Sequence, residues 1–308
     1  MSVTSAVTVK VPATTANLGS GFDCLGAALT LYNQFQFSLS NREVLQIIAT
    51  GVEADRVSID ASNLVYQSFT HLYDHMGKTP PPVKIEITME VPLARGLGSS
   101  ATAIVAGLVG ANCLAGSPLT QEQVLQLAIA LEGHPDNVVP ALLGGCRLAA
   151  SGINDGWVIC DIPWNQSIVP IVAIPNFELS TAEARRVLPN HYTRADAIFN
   201  VSHLGLLVRG LETGRSDWLK PALHDRIHQP YRQELIHGYE LVQSAALNAG
   251  AHGMVISGAG PTLLALSDLA SAEAVKSAMS NAWAGQGVNA HVELLQIDVQ
   301  GAIVEQSF

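Results

Sequence analysis

The sequence predicts an α+β protein of two domains. Alternating strands and amphipathic helices follow one another without the regular strand–helix–strand repeat of a parallel α/β sheet. The 308 residues are 48% hydrophobic, which is enough apolar surface for two cores of ordinary domain size. The boundary between the two domains is expected near residues 160–175. We therefore assign residues 1–165 to the first domain and residues 166–308 to the second.

In the first domain, hydrophobic periodicity predicts strands, helices and one hairpin. The strands are expected at residues 7–11, 33–39 and 83–91, the helices at 63–76, 103–113, 121–132 and 137–143, and the hairpin at 146–162 with its turn at 152–156. Residues 12–23 are polar and contain glycine, so they are expected to form a long loop after the first strand.

In the second domain, the same criteria give strands and helices of similar length. The strands are expected at residues 168–174, 253–257, 262–266 and 290–296, and the helices at 193–212, 216–224, 237–248 and 271–284. Ser180 and Glu183 form a capping box at a further helix start. Residues 285–308 give little signal beyond the last strand.

Charge and cysteine content limit the classes of function. The chain has 16 Lys and Arg against 26 Asp and Glu, a net charge of −10, and no basic run. This argues against a nucleic-acid or anionic-membrane partner. Its four cysteines have no metal-like spacing and suit a reducing compartment. With no signal peptide and no apolar run of about 18 residues, a cytoplasmic location is expected.

One glycine-rich stretch lies between a predicted strand and a predicted helix. It consists of Pro92, Leu93, Ala94, Arg95, Gly96, Leu97, Gly98, Ser99, Ser100, Ala101 and Thr102. Glycines let a backbone approach a ligand closely, and the first N–H groups of a helix are unpaired and carry the positive end of its dipole. The stretch therefore indicates a phosphate site, with a nucleoside triphosphate as the first hypothesis and an ordinary capped turn as the alternative.

Two other glycine-rich motifs can be compared with this stretch. A Walker A loop is excluded because no lysine precedes Ser99 or Ser100. The dinucleotide fingerprint fits Gly96, Gly98 and Ala101, and an acidic residue follows about 20 positions on. The preceding strand alternates, however, unlike a buried parallel strand. A nicotinamide-dependent dehydrogenase remains an alternative to the nucleoside triphosphate site, although it fits the sequence less well.

Several polar residues elsewhere each have a functional and a structural interpretation. Glu132 lies in the last turn of a predicted helix, on the unfavourable side of the dipole, so it needs a cation partner or is a plain surface residue. Arg185 and Arg232 could hold a carboxylate or phosphate, or belong to solvated helix faces. On spacing alone, Asn17 and Asp23 are best explained as turn residues.

Residues 92–101 resemble the phosphate loop of the GHMP small-molecule kinases. Two further stretches, residues 12–26 and 253–264, resemble the first and third motifs of that family in the same order. Residues 136–140, 180–185 and 230–232 are similar to segments of its homoserine kinase branch. The resemblance covers about residues 5–270.

The resemblance implies a fold, an activity and a set of ligands. The fold would join an N-terminal ribosomal-protein-S5-domain-2-like domain to a C-terminal ferredoxin-like domain. The activity would be phosphorylation of the side-chain hydroxyl of L-homoserine by ATP with Mg²⁺, a step of threonine biosynthesis, in a homodimer. Another GHMP kinase, acting on a sugar or an isoprenoid alcohol, and a non-catalytic GHMP-fold binder are the alternatives.

The resemblance also implies roles for individual residues. Residues 92–102 would cradle the ATP phosphates, and Asn63 would lie near the nucleoside. Ser100 and Glu132 would hold Mg²⁺. The substrate would contact Asn17, Asp23, Asn137, Arg185 and Arg232, with Asp23 on its ammonium and the two arginines on its carboxylate. No side chain is assigned as a general base.

Overall fold

A computed structural model describes residues 6–41, 43–152 and 156–307, so the centre of the predicted hairpin turn lies outside the described residues. The strands are β1 (Ala6–Ala16), β2 (Leu25–Leu39), β3 (Leu45–Gly51), β4 (Val83–Met89), β5 (Cys146–Ser151), β6 (Trp157–Ile162), β7 (Val169–Pro175), β8 (Gly253–Ile256), β9 (Leu263–Ser267), β10 (Ala290–Leu294) and β11 (Ile303–Ser307). The helices are α1 (Leu64–His75), α2 (Ser99–Leu114), α3 (Gln121–Glu132), α4 (Pro135–Leu143), α5 (Thr181–Arg186), α6 (Arg194–Thr213), α7 (Ser216–Ala222), α8 (Gln229–Arg232), α9 (Tyr239–Asn248) and α10 (Ala272–Ala284).

The first sheet has the strand order β11-β1-β2-β4-β3, and β5 and β6 extend it from β2. All of its pairings are antiparallel except the parallel pair of β3 and β4. Helices α1 to α4 pack beside it, and α2 and α4 contact β1 directly. Phe37 and Phe69 stack in the core between sheet and helices. This layer positions the N-terminus of α2 at one end of the sheet.

The second sheet is antiparallel with the strand order β10-β7-β9-β8. With α9 and α10 as the connecting helices, the elements β7–α9–β8–β9–α10–β10 form a split βαβ arrangement of the ferredoxin-like kind. The core of this half includes Trp283, whose side chain is fully buried. These two mainly antiparallel sheets exclude the open parallel sheet of a dinucleotide-binding fold.

The first strand is longer than the sequence predicts. Residues 12–16 were expected to belong to a loop, but they continue β1: Pro12 pairs with Tyr32 of β2, and after a register shift residues 13–16 pair with residues 26–29. The prediction is wrong here because Thr14 and Thr15 read as exposed loop residues. In the fold both are fully buried and their hydroxyls have hydrogen-bond partners across the chain.

The end of the chain returns to the first sheet. Strand β11 pairs antiparallel with β1, so the last residues of the chain join the first sheet. Neither β11 nor β3 was predicted, because each is a short strand at a sheet edge and shows no long alternating pattern. The boundary near residue 165 stays a prediction. Within the part of the chain that the structure describes, no helix is long and apolar enough to cross a membrane.

Candidate active site

The glycine-rich stretch forms the entry to α2. Gly98 is the N-cap of this helix, at φ +67°, and no side chain caps its free N–H groups. Gly96 has φ +74°, and a Cβ there would lie 2.2 Å from the carbonyl oxygen of Ser257. Only glycine fits such a position. The helix N-terminus therefore presents unpaired N–H groups with the positive end of the dipole, as an anion site requires.

Both halves of the chain hold this loop in place. From the first half, the backbone N–H of Thr14 donates to the carbonyl of Leu97 at 3.0 Å. From the second half, the hydroxyl of Ser257 donates to the carbonyl of Gly96 at 2.7 Å, and the N–H of Thr262 donates to that of Arg95 at 3.2 Å. The loop conformation consequently depends on the contact between the two sheets.

The side chain of Arg95 is committed to structural bonds. Its Nε donates to the carbonyl of Pro175 at 3.1 Å, its Nη1 to the carbonyl of Leu93 at 2.8 Å, and its Nη2 to Glu53 at 3.2 Å. The residue is only 7% exposed. It still borders the cleft, but its guanidinium is directed to these acceptors, which leaves phosphate binding to the loop backbone.

Ser100 and Glu132 are brought together, as the resemblance implied. The Ser100 hydroxyl donates to Glu132 Oε2 at 2.9 Å. Burial raises the pKa of Glu132, and the charge of Asp136 adds to this, while His134 and the Ser100 hydrogen bond oppose it. A cation would relieve this cost. The pair therefore explains why a carboxylate is placed at the unfavourable end of α3.

The residues present fit a magnesium ion. Mg²⁺ prefers hard oxygen donors and is commonly held by one or two carboxylates together with substrate phosphates and water. One hydroxyl and one carboxylate beside a phosphate loop are such a set. Among the described residues, no group of three or more His, Cys, Asp or Glu side chains could hold a metal ion by itself.

His134 borders the same cleft, a position that was not predicted from the sequence. Its Nδ1 lies 2.6 Å from Asp136 Oδ1. Burial lowers the pKa of His134, but the hydrogen bond and charge of Asp136 outweigh it, so the pKa lies above its ordinary value. The signal that could have identified this residue is the run of mostly polar residues at 132–137, which joins the end of α3 to the start of α4.

Asn17 lines the cleft on the side of Arg185, and Asp23 lies behind it, bonded to both residues. Asn17 and Asp23 have positive φ, +58° and +55°, so the interpretation of turn residues is correct for their backbones. Asn17 donates to the carbonyl of Gly258 at 3.0 Å and accepts from the N–H of Asp23 at 2.7 Å. Asp23 accepts both guanidinium arms of Arg185, at 3.0 and 2.8 Å. Asn17 therefore combines turn chemistry with a position in the cleft, and Asp23 is joined to the cleft through Arg185.

Arg232 supplies a second guanidinium at the same place. It is 1% exposed, and its Nε and Nη1 donate to the carbonyls of Ala184 and Gly258 at 3.1 and 3.0 Å. Burial, with the nearby charge of Arg185, lowers the pKa of Arg232 to about 10. Phe22 lies 5.0 Å from its Cζ and 5.8 Å from that of Arg185. Two crowded guanidiniums favour an anionic ligand.

Asn137 completes the cleft, whereas Arg186 stays outside it. Asn137 is buried, and its Oδ1 accepts from the Thr14 hydroxyl at 2.8 Å. It borders a cavity of about 280 Å³ that also includes Ser100, Arg185 and Arg232. Arg186 is exposed and does not border this cavity, in agreement with a solvated helix face.

A second cavity, of about 340 Å³, lies on the other side of the loop. The two cavities share Ala94, Ser99 and Ser100. Its walls include apolar side chains of β2, α1 and β4, namely Phe35, Val65, Ile87 and Met89. Such walls suit a flat aromatic base. The loop therefore lies between an apolar cavity and a charged one.

Asn63 borders this apolar cavity, but its side chain has a structural task. Its Oδ1 caps α1 by accepting from the N–H groups of Val65 and Tyr66 at 2.9 and 3.4 Å. Its Nδ2 donates to the carbonyl of Ser58 at 2.6 Å. Asn63 therefore shapes the cavity wall by fixing α1 and the segment before it.

Comparison with known proteins agrees with this geometry. The model of the family "GHMP kinases N terminal domain" matches residues 63–145, and that of "GHMP kinases C terminal" matches residues 207–285. Fold and site thus define a kinase of the GHMP class. The homoserine kinase of Trichormus variabilis is 67% identical over 302 residues, covering 98% of this chain and 100% of its relative, and that of a Nostoc species is 66% identical with the same coverage.

A solved structure gives the same result. The homoserine kinase of Cytophaga hutchinsonii matches with a TM-score of 0.89 and 30% identity over 99% of both chains. Within the GHMP class, this chain belongs to the homoserine kinase family.

Proposed function

We propose that this chain transfers the terminal phosphoryl group of ATP to the side-chain hydroxyl of L-homoserine, giving ADP and O-phospho-L-homoserine in threonine biosynthesis. The observation that carries the proposal is the cavity in which Arg185 and Arg232 face the serines of the phosphate loop. A free amino acid offers the carboxylate that two guanidiniums bind best. The names of the most similar relatives support the same substrate.

ATP would lie across the loop. Its base and ribose would occupy the apolar cavity beside Asn63, and its phosphates would contact the backbone of residues 92–102 and the N-terminus of α2. Phosphoryl transfer passes through a loose transition state, so the protein contributes mainly charge stabilisation and alignment. The loop supplies both without a covalent intermediate.

Ser100 and Glu132 would hold Mg²⁺ beside the phosphates. The ion would neutralise charge that develops on the phosphate oxygens. The raised pKa of Glu132 marks a carboxylate that is stabilised once a cation is bound nearby. In this way the pair joins the end of α3 to the start of α2 around one ion.

The substrate would replace the internal Asp23–Arg185 pair by a matching pair of its own. Homoserine is a zwitterion, so its ammonium can bind Asp23 while its carboxylate binds Arg185 and Arg232. Asn17 and Asn137 would add amide contacts. Fixing both ends of the α-amino-acid group directs the hydroxyl toward the phosphate loop, and such orientation is a large part of catalysis in transfers of this kind.

The experiment is a coupled ADP-release assay with L-homoserine, L-threonine, mevalonate and galactose as acceptors, with and without Mg²⁺. We expect turnover that requires both L-homoserine and Mg²⁺. Turnover of mevalonate or galactose alone would instead favour another GHMP kinase, and ATP binding without any transfer would favour a non-catalytic binder. The homodimer and the cytoplasmic location stay predictions.

A further inference from the structure

A third cavity lies in the C-terminal half of the chain, between α7, α8, α9 and the start of β8. Its volume of about 460 Å³ exceeds that of either cavity beside the phosphate loop and falls in the range of small-molecule sites, roughly 300–1,000 Å³. Of the described residues that line it, none is among those proposed above for ATP, Mg²⁺ or homoserine. It therefore has no role in the proposed reaction.

Three basic side chains line this cavity, Lys220, His224 and His252. Among the described residues, no side-chain hydrogen bond or ion pair involves any of the three, although the charge of Asp268 acts on His252. His252 is the most informative, because it is only 7% exposed. Its ring nitrogens are nevertheless not sealed inside the protein, so they can bond a ligand that enters the cavity. The cavity is the place from which a partner for it would come.

The rest of the lining adds hydrogen-bonding capacity to apolar walls. Gln243 Nε2 donates to the hydroxyl of Tyr239 at 3.2 Å, which leaves the Gln243 carbonyl and the Tyr239 O–H free to bond a ligand. Burial raises the pKa of Tyr239 to about 12, so the phenol remains a donor at neutral pH. Leu223, Leu247 and Met254 supply the apolar part.

The carboxylate of Asp225 also borders the cavity, but other donors occupy its oxygens. Its Oδ1 accepts from Asn200 Nδ2 and the N–H of Ile227 at 2.7 and 2.9 Å. Its Oδ2 accepts from the N–H groups of His228 and Gln229, both at 2.7 Å. The Asp225 carboxylate is therefore held by these donors, and the Lys220 ammonium is left to bond a ligand.

We propose that this cavity is a second small-molecule site that binds a small organic carboxylate, with Lys220 and His252 as the groups that hold its acidic end. A carboxylate fits better than a phosphate for two reasons. One ammonium and a few single donors match the two oxygens of a carboxylate, and the apolar part of such a ligand can pack against the apolar walls. Because the chain as a whole has a net charge of −10, these local donors, and not the overall charge of the protein, would attract the carboxylate.

This cavity and the substrate cleft share one short helix. Gln229 and Pro230 of α8 line the cavity, whereas Arg232, at the other end of α8, borders the cleft. The side-chain Oε1 of Gln229 also accepts from the N–H of Ile256 at 3.1 Å, directly before the turn that Arg232 contacts. A bound carboxylate would therefore change the KM for homoserine. This coupling, unlike binding itself, rests on the proposed function.

Binding is tested by NMR of protein labelled in its histidine rings, with succinate as the probe and succinamide and inorganic phosphate as comparison probes. The signals of His224 and His252 are assigned from His224→Gln and His252→Gln. We expect succinate to shift the His252 signal saturably, and Lys220→Met to weaken this binding about tenfold or more, since a charge-assisted bond is lost. Lys276→Met, which changes a lysine outside the cavity, should bind like the wild type.

Three outcomes would overturn the proposal: no saturable shift at His252 with millimolar succinate, equal binding of succinamide, or equal binding by Lys220→Met. Phosphate that binds more tightly than succinate would contradict the assigned ligand class. Lys220 is exposed on α7, so its replacement leaves the fold intact. A protein that binds succinate at His252 but lacks kinase activity would refute the proposed function alone.

Discussion

Replacing Arg185 with alanine tests the substrate clamp with little disturbance of the fold. Arg185 is exposed in part and forms a bidentate pair with Asp23 at 2.8 and 3.0 Å. Because both side chains are solvated, with 40% and 33% of their surface exposed, loss of this pair should cost at most about 1 kcal/mol of stability. The effect of the substitution on substrate binding should be larger.

The magnitude follows from the bond that is lost. In the proposed complex Arg185 donates to the substrate carboxylate, and a hydrogen bond to a charged group contributes about 1.5–3 kcal/mol. At about 1.4 kcal/mol for each factor of ten, this corresponds to a KM for L-homoserine that is roughly 10- to 150-fold higher. The kcat should change much less, because the loop and the metal pair are untouched.

The assay is steady-state ADP release at saturating ATP and Mg²⁺ with L-homoserine varied. Arg186→Ala is the matched control, since Arg186 is the next residue on the same helix, is exposed and lies outside the cleft. An unchanged KM in Arg185→Ala, or the same increase in both variants, would refute the clamp.

Three further predictions concern the metal pair, the loop and pH. Glu132→Gln should raise the Mg²⁺ concentration that gives half the maximal rate by roughly tenfold or more, measured by titrating Mg²⁺ in the rate assay. It should not lower the free energy of unfolding of the metal-free protein, measured in urea. An unchanged Mg²⁺ requirement would exclude Glu132 as a ligand. Gly96→Ala should lower the free energy of unfolding in urea by about 2–4 kcal/mol, from left-handed strain plus the clash with a backbone carbonyl, and should raise the KM for ATP. Gly133→Ala is the control, because Gly133 has φ +84° with open space around it, and it should lower the free energy of unfolding by only about 1–2 kcal/mol. Equal losses in the two variants would contradict the close approach at Gly96. Burial lowers the pKa of His228, with Asp225 opposing and Arg232 adding to the shift, so below the unfolded value of about 6.5 the unfolded chain binds a proton that the folded chain does not. The free energy of unfolding should therefore fall as pH falls from 7 to 5, with a slope of up to about 1.4 kcal/mol per pH unit from this group. In His228→Gln, urea unfolding across the same pH range should give a smaller slope. Identical slopes in the two proteins would contradict this prediction.

The sequence predicted most helices and the phosphate loop because their signals are local. A capping box, a positive-φ glycine or an apolar stripe is complete within a few residues. The longer first strand was missed because its stability comes from burial of Thr14 and Thr15 by partners 123 and 242 residues away. Strand β11 was missed for the same reason, since its partner β1 is at the other end of the chain.

The candidate site shows the same division. Spacing alone made Asn17 and Asp23 turn residues, and their positive φ values agree. Only the fold brings Arg185 within hydrogen-bond distance of Asp23, 162 residues away. His134 was missed as a cleft residue because no local rule distinguishes a turn histidine from one that borders a cleft. The commitment of Arg95 to Pro175 and Glu53 likewise depends on contacts between the two halves.

The central claim is that the two arginines recognise the carboxylate of an amino-acid alcohol while the loop delivers phosphate. The most direct measurement compares kcat/KM for L-homoserine with that for 3-aminopropan-1-ol, which lacks only the carboxylate, and identifies the products by ³¹P NMR. We expect one O-phospho-L-homoserine for each ADP, and a kcat/KM for the truncated alcohol that is at least roughly 100-fold lower. Equal values for the two alcohols, or no phosphorylation of L-homoserine, would contradict it.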